Sequence, residues 1–131
     1  AKDGVAQTYS DYGVTTTDDS GKITSCIIDA SQTNVNFTAA GKVTSDLKAP
    51  LKTKDELGTE YGMKKASKIG KEWNEEAEAF AKYVVGKTAA DVKGVAVNDK
   101  GEPTATELTA SVTISIGDFM KIIDKATSSA K

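Results

Sequence analysis

The chain has 131 residues, a hydrophobic content of 38% and a formal net charge of −2. This length suits one domain with one continuous core, and 17 basic against 19 acidic residues leave no basic surface for a phosphate backbone, so we expect no nucleic-acid partner. The chain contains no histidine and one cysteine, Cys26, which excludes an intramolecular disulfide and argues against zinc sites and against an autonomous enzyme.

Three short stretches share a glycine between extended segments. They are DSGKIT at 19–24, AAGKVT at 39–44 and DKGEPT at 99–104. Glycine in such a position is typical of a hairpin turn. Alternating or β-branched residues around these turns predict four strands, over 5–17, 22–30, 34–39 and 92–98.

The apolar spacing changes to three and four residues in the middle of the chain. The positions are Ile69, Trp73, Ala77, Phe80, Ala81 and Val84. This stripe predicts a helix of about four turns, and we interpret the acidic run at 72–78 as its solvated face. Thr88 and Asp91 have the spacing of a capping box for a short helical turn.

A last helix is predicted from about Thr113 onward, because apolar residues continue at helical spacing to residue 126. Together these elements predict an α+β fold, an antiparallel sheet with two helices packed on one face, in a single domain over 1–131.

Two segments are candidates for a binding site. Tyr61, Gly62 and Met63 lie in a glycine-rich loop before Trp73, and their side chains suit a concave patch for a flat heteroaromatic ligand. The alternative is that Trp73 anchors the core and Tyr61 covers it. The Gly-Lys-Thr at 86–88 is interpreted as a helix stop and not as a P-loop, since Ala81 stands where a P-loop requires glycine.

The second segment, ELTASVTIS at 107–115, places hydroxyl side chains before the last helix. The free amides of a helix start favour a phosphate or phosphodiester, for which Ser111 and Thr113 are the candidate residues. Ordinary N-capping by Ser111 or Thr109 is the alternative.

The order of these motifs resembles the FMN-binding domain of bacterial extracytoplasmic flavoproteins. The resemblance rests on DGVA, DDSGKITSCIID, ELG followed by YGM, GKT and ELTASVTIS, and it spans nearly the whole chain. It is strongest to small lipoproteins of Gram-positive anaerobes known as major membrane immunogens. The resemblance implies an exported domain at the cell surface, with a lipid anchor outside this chain as its only membrane attachment.

The family attaches FMN to the threonine of an Asp-x-x-Ser/Thr-Gly-Ala-Thr motif by means of a separate transferase. On this chain the motif falls on 107–113, and Thr113 matches the acceptor. Serine replaces glycine at 111 and valine replaces alanine at 112, which disfavours covalent attachment because the backbone there is less accessible.

Two functions follow as expectations. The first is a flavin-carrying electron-transfer or small-ligand-binding surface lipoprotein with a membrane redox partner, in which FMN supplies the redox chemistry. The second is a flavin-free relative that serves as a structural or ligand-binding cell-surface protein.

Overall fold

The computed structural model describes residues 1–130, and the sheet within them is one long antiparallel hairpin. Strand β1 covers Gly4–Thr17 and strand β2 covers Ile23–Phe37. Their pairing is regular until a bulge next to Thr16 and Thr17. The two strands predicted over 22–30 and 34–39 are therefore one strand, because residues 31–33 continue the pairing with β1.

All three predicted glycine turns are confirmed and have the same backbone geometry. In the first turn, the Asp18 amide donates to the Lys22 carbonyl and the Gly21 amide donates to the Asp18 carbonyl. The same two bonds recur over 38–42 and 98–102. The glycine of each turn has a φ of 82°, 82° or 79°, a conformation that favours glycine because it has no Cβ.

Within residues 1–130, five α-helices follow the hairpin. They are α1 (Lys54–Leu57), α2 (Trp73–Tyr83), α3 (Ala89–Lys93), α4 (Thr106–Thr109) and α5 (Gly117–Ser128), with a 3-10 turn at Gly58–Tyr61. The predicted capping box of Thr88 and Asp91 is confirmed at the start of α3. This helix occupies the first part of the strand predicted over 92–98, which is wrong: only Val97 forms an isolated bridge, with Pro103.

Both long helices pack on one face of the hairpin, so the predicted α+β fold is confirmed. On β2 the buried residues of that face include Ile28 and Ala30. On β1 a Cβ atom added to Gly13 would lie 2.9 Å from Ile122 of α5, so glycine permits the close approach of this helix.

Aromatic rings join the two long helices. The Phe119 ring of α5 lies 5.6 Å from Trp73 and 5.9 Å from Phe80 of α2, measured between centroids. All three side chains are buried, and such contacts add stabilisation beyond the burial of apolar area.

The acidic run at 72–78 is not the solvated face that we predicted. Glu72 and Glu76 are buried, with 4% and 0% exposure. Glu75 and Glu78 do lie at the surface, where they pair with Lys71 and Lys82. The two buried carboxylates are tolerated because each accepts hydrogen bonds from loop amides.

Candidate functional site

A buried lysine lies among three aromatic rings. Lys54, the first residue of α1, is 5% exposed, and its Nζ lies 4.5 Å from the ring centroid of Tyr9, 4.8 Å from Tyr61 and 4.9 Å from Trp73. The ammonium also donates a hydrogen bond of 2.8 Å to the Tyr9 hydroxyl. Ring quadrupoles stabilise a desolvated cation by about 2 kcal/mol. The predicted aromatic patch thus forms, but with the Lys54 ammonium against its rings.

Local sequence fixes the position of this lysine. Thr53 and Glu56 form a capping box around it: the Glu56 amide donates to Thr53 Oγ1, and the Thr53 amide donates to Glu56 Oε2. Threonine followed three residues later by glutamate is a recognised helix-start signal. This signal is present in the sequence, although the predicted elements include neither a helix at residue 54 nor a role for Lys54.

The loop between the 3-10 turn and α2 is organised by Glu72. Its carboxylate accepts the Met63 amide at 2.9 Å and the Lys64 amide at 3.2 Å. Gly62, with a φ of 81°, ends the 3-10 turn in the left-handed conformation. The Met63 and Tyr61 side chains both pack against the buried core that contains Trp73. The structure therefore brings together the four residues predicted for the aromatic patch.

Thr113, the predicted acceptor, is bound to Glu76 on α2. The Thr113 amide donates to Glu76 Oε2 at 2.7 Å, and the Thr113 hydroxyl lies 3.1 Å from both carboxylate oxygens. The Ile114 amide and the Ser67 hydroxyl add bonds of 3.2 and 2.9 Å. A carboxylate that accepts this many bonds is well stabilised in a buried site.

These bonds change where the last helix begins. The amides of Thr113 and Ile114 point to Glu76, and α5 starts at Gly117 and not near Thr113 as predicted. The segment was expected to bind a phosphate with free amides. Those amides are present, but an internal carboxylate occupies them.

Neither hydroxyl proposed as an N-cap has that role. The Ser111 hydroxyl donates to the Leu108 carbonyl, and the Thr109 hydroxyl donates to the Thr106 carbonyl. Residue 116 precedes α5 without a side-chain cap. Ser111 therefore completes the turn after α4 and does not contact Thr113 through a hydrogen bond.

Thr113 also borders a surface cavity of about 290 Å³. Ile69, Pro103 and Val112 form its apolar part, and Thr109, Lys68 and Glu102 its polar part. Lys68 and Glu102 form an ion pair of 3.0 Å, so the cationic side chain is already neutralised. The cavity suits a small, largely apolar ligand better than a strongly anionic one.

A second cavity, of about 320 Å³, lies between β2, α1 and α2 and is lined by Cys26, Asp55 and Glu78. Burial, together with the carboxylates of Asp29 and Glu78, raises the pKa of Asp55 to about 6. Burial also raises the pKa of the Cys26 thiol to about 11, which keeps it protonated and unreactive at neutral pH. Cys26 is instead a packing residue, because its side chain lies against the buried core.

The predicted helix stop at 86–88 has a backbone role. The Gly86 amide donates to the Ile23 carbonyl, and the Ile23 amide donates to the Lys87 carbonyl. These bonds attach the segment to the start of β2. A phosphate-binding loop needs such amides free, so this geometry excludes the P-loop interpretation.

Within residues 1–130, no grouping of acidic or cysteine side chains has the arrangement of a metal site. In the same part of the chain, no helix combines the length and the hydropathy needed to cross a bilayer. Comparison of the chain with protein-family models, curated proteins and solved structures gives no significant match. The resemblance to FMN-binding domains stays a prediction.

Proposed function

We propose that this chain is a flavin-free binding domain of an extracytoplasmic surface lipoprotein, built on the architecture of FMN-binding domains and not itself an enzyme. One observation carries the proposal: the fully buried carboxylate of Glu76 accepts both the amide and the hydroxyl of Thr113. Esterification of this hydroxyl would remove its bond and bring a phosphate against a buried carboxylate, which costs several kcal/mol by charge repulsion and desolvation.

The aromatic patch supports the same proposal. The Lys54 ammonium lies within 5 Å of the Tyr61 and Trp73 ring centroids. An isoalloxazine ring between these side chains would have to displace a lysine that is 5% exposed. We propose instead that a small ligand binds the cavity next to Thr113, with its apolar part against Ile69 and Val112.

The second candidate function is a covalent FMN carrier that exchanges electrons with a membrane redox partner. Thr113 is only partly buried and borders a surface cavity. This access to its hydroxyl is the observation that favours flavin attachment at Thr113.

Intact mass and the visible spectrum separate the two functions. We expect the wild-type chain, co-expressed with an active flavin transferase, to keep its polypeptide mass and to be colourless. A domain that carries the complete family motif is the positive control for the transferase. An FMN adduct on the wild type that is lost in Thr113→Val would overturn the proposal and establish the second function.

The ligand site needs its own test. Riboflavin, a nucleoside and a porphyrin are each titrated into labelled protein, and amide NMR shifts are followed. We expect the nucleoside or the porphyrin to shift the amides of Thr109 and Thr113 saturably, and Lys68→Ala to change the affinity more than Lys65→Ala. Saturable shifts by riboflavin alone would contradict the flavin-free proposal. If no ligand shifts those amides, the binding part of the proposal is wrong and a structural surface protein is left.

A further inference from the structure

The outer edge of β1 is an unpaired sheet edge. In the part of the chain that the structure describes, residues 4–17 form backbone ladder bonds with β2 alone. The outer edge of β2 differs, because Ile23 pairs with Gly86 and Lys87 at one end, and Asn36 pairs with Thr44 and Ser45 at the other.

The register shows which β1 residues face outward. Asn36 directs its amide and carbonyl away from β1, toward Ser45 and Thr44. Val5 lies opposite Asn36, so Val5 and every second residue after it also direct their amides and carbonyls outward. The outward residues up to the bulge are Val5, Gln7, Tyr9, Asp11, Gly13 and Thr15.

The β1 strand itself carries few of the features that usually prevent pairing with another chain, and the charges nearest its edge are those of α5 beside Asp11, from Asp118, Lys121 and Lys125. Natural sheet edges are protected by lysine, proline, bulges or a covering element. Strand β1 contains no lysine, arginine or proline, and its only charge is Asp11. Its bulge lies at the turn end, next to Thr16 and Thr17, and leaves the ladder before it regular.

The helices also leave half of the hairpin uncovered. Helix α5 contacts β1 near Gly13, whereas Val5 and Tyr9 on the same face are 55% and 42% exposed. A two-stranded ribbon without a packed layer is only marginally stable in water. The distal half of the hairpin, the end around Val5 and Phe37, is therefore covered only in part: Tyr9 contacts Lys54 of α1, while Val5 stays 55% exposed.

We propose that the β1 edge pairs with the β1 edge of a second copy, as an antiparallel ladder with its two-fold axis at Ser10. This register pairs Val5 with Thr15, Gln7 with Gly13 and Tyr9 with Asp11 of the other copy. It forms six hydrogen-bonded pairs across about 37 Å of sheet. The single charge of the strand then lies opposite a tyrosine, whereas a shift of one residue pair would place Asp11 opposite Asp11.

The same symmetry covers the exposed half of the hairpin. Gln7 lies opposite Gly13 of the second copy, and Gly13 is where α5 packs. Helix α5 of the second copy thus lies next to Val5 and Tyr9. A ladder about 37 Å long and about 10 Å thick buries roughly 370 Å² of surface per copy. This area is below the roughly 800 Å² per copy of a stable interface, and the contact with α5 of the second copy supplies part of the difference. We expect a reversible dimer.

Two proline variants on one cross-strand pair test the edge. Gln7 and Asn34 lie opposite each other, and both direct their amides outward. Proline at an outward position removes one free amide and leaves the bonds between β1 and β2 intact. In sedimentation velocity, we expect the wild type and Asn34→Pro to double in mass as concentration rises, while Gln7→Pro stays at the mass of one chain.

The proposal is overturned if the wild type stays monomeric over the whole concentration range. It is also overturned if Asn34→Pro dissociates the dimer and Gln7→Pro leaves it intact. Far-UV circular dichroism and Trp73 emission verify that both variants fold. Binding of an unrelated extended peptide at this edge, with no self-association, also overturns the proposal of a second copy.

Cysteine cross-linking tests the register without proline. In a Cys26→Ser background, Ser10→Cys places two thiols on the two-fold axis, where facing Cα atoms of a non-hydrogen-bonded pair are about 4.5 Å apart. Ser31→Cys, opposite Ser10 on β2, is the matched control. We expect mild oxidation to cross-link Ser10→Cys at least several-fold more than Ser31→Cys. Equal cross-linking of the two variants contradicts the proposed axis.

Discussion

Glu76 and Lys54 are buried charges that are stabilised in different ways. Glu76 has no cationic partner among its hydrogen bonds and is held by backbone amides and hydroxyls. In the described residues, the Lys54 ammonium donates its side-chain hydrogen bond to the Tyr9 hydroxyl and not to a carboxylate. The rings of Tyr9, Tyr61 and Trp73 surround it. Each charge lies where part of a cofactor was expected from the sequence. The Glu76 carboxylate binds the amides that were expected to bind a phosphate. The Lys54 ammonium lies against the rings that were expected to contact a flat heteroaromatic ligand.

Loss of the Glu76 carboxylate tests its structural role. Glu76→Ala leaves the Thr113 and Ile114 amides and the Ser67 hydroxyl without their acceptor in a buried site. We expect the free energy of unfolding to fall by about 3 kcal/mol or more. Urea denaturation followed by Trp73 fluorescence measures this change.

The control is Glu78→Ala on the same helix. Glu78 is exposed, so the loss of its surface ion pair with Lys82 and of its repulsion of Asp55 should together change the free energy of unfolding by no more than about 1 kcal/mol. Equal losses in the two variants would contradict the assignment of Glu76 as the acceptor that positions Thr113.

Asp55 gives the stability a defined pH dependence. Its pKa is raised from 3.8 to about 6 by burial and by the carboxylates of Asp29 and Glu78. Between these two values the unfolded chain has lost a proton that the folded chain retains, so the contribution of Asp55 to stability falls as the pH rises from about 4 to about 6.

We therefore expect Asp55→Asn to be more stable than the wild type at pH 7, with a smaller difference at pH 4. Free energies of unfolding at the two pH values measure this directly. Asp99→Asn is the control, because Asp99 lies in the exposed turn over 98–102 and its substitution leaves the carboxylates of Asp29, Asp55 and Glu78 unchanged. A stabilisation by Asp55→Asn that does not change with pH would contradict the role of the carboxylate charge.

Among the turns, strands and helices, those predicted correctly are set by local chemistry. The three turns follow from glycine at the fourth of five positions, and α3 follows from the capping box of Thr88 and Asp91. Continuity of β2 through residues 31–33 was not predictable in the same way. Ser31, Gln32 and Thr33 are polar, and it is their pairing with β1 that keeps them extended.

Long-range contacts explain the other misses. The start of α5 and the burial of Glu76 depend on one interaction between residues 37 positions apart. No spacing rule along the chain relates Glu76 to Thr113. A glutamate with charged neighbours on a helix is usually solvated. The sequence therefore predicted that Glu76 lies on the solvent-facing side of α2, whereas it is fully buried.

The three turns allow a matched test of glycine. Gly21 and Gly101 have φ values of 82° and 79°, so alanine is strained at both. A Cβ at Gly21 meets open space, whereas at Gly101 it would collide with the Ser115 hydroxyl. We expect Gly21→Ala to cost about 1 kcal/mol and Gly101→Ala slightly more, because the exposed Ser115 hydroxyl must rotate away.

Thermal unfolding of the two variants measures the difference. The double variant Gly101→Ala with Ser115→Ala removes the collision and keeps the strain. We expect it to recover toward the Gly21→Ala value. If it does not recover, the turn after Val97 is held by another contact.

One core connects the hairpin to both long helices. Phe80 is fully buried and contacts Tyr83 and Phe119, while Ile28 and Ala30 bring β2 into the same cluster. The prediction of one domain over 1–131 implies that hairpin and helices unfold together. The distal hairpin, where Phe37 packs over Gly4, lies outside this buried core.

Phe80→Ala tests this unity. We expect it to lower the free energy of unfolding by about 3–5 kcal/mol and to shift the transitions of far-UV circular dichroism and Trp73 fluorescence equally, because both report the loss of one core. Phe37→Ala, at the distal end, should cost about 1 kcal/mol with coincident transitions. If Phe80→Ala moves the fluorescence transition while the hairpin signal persists to higher urea, the hairpin and the helices are separate cooperative units and the one-domain prediction is wrong.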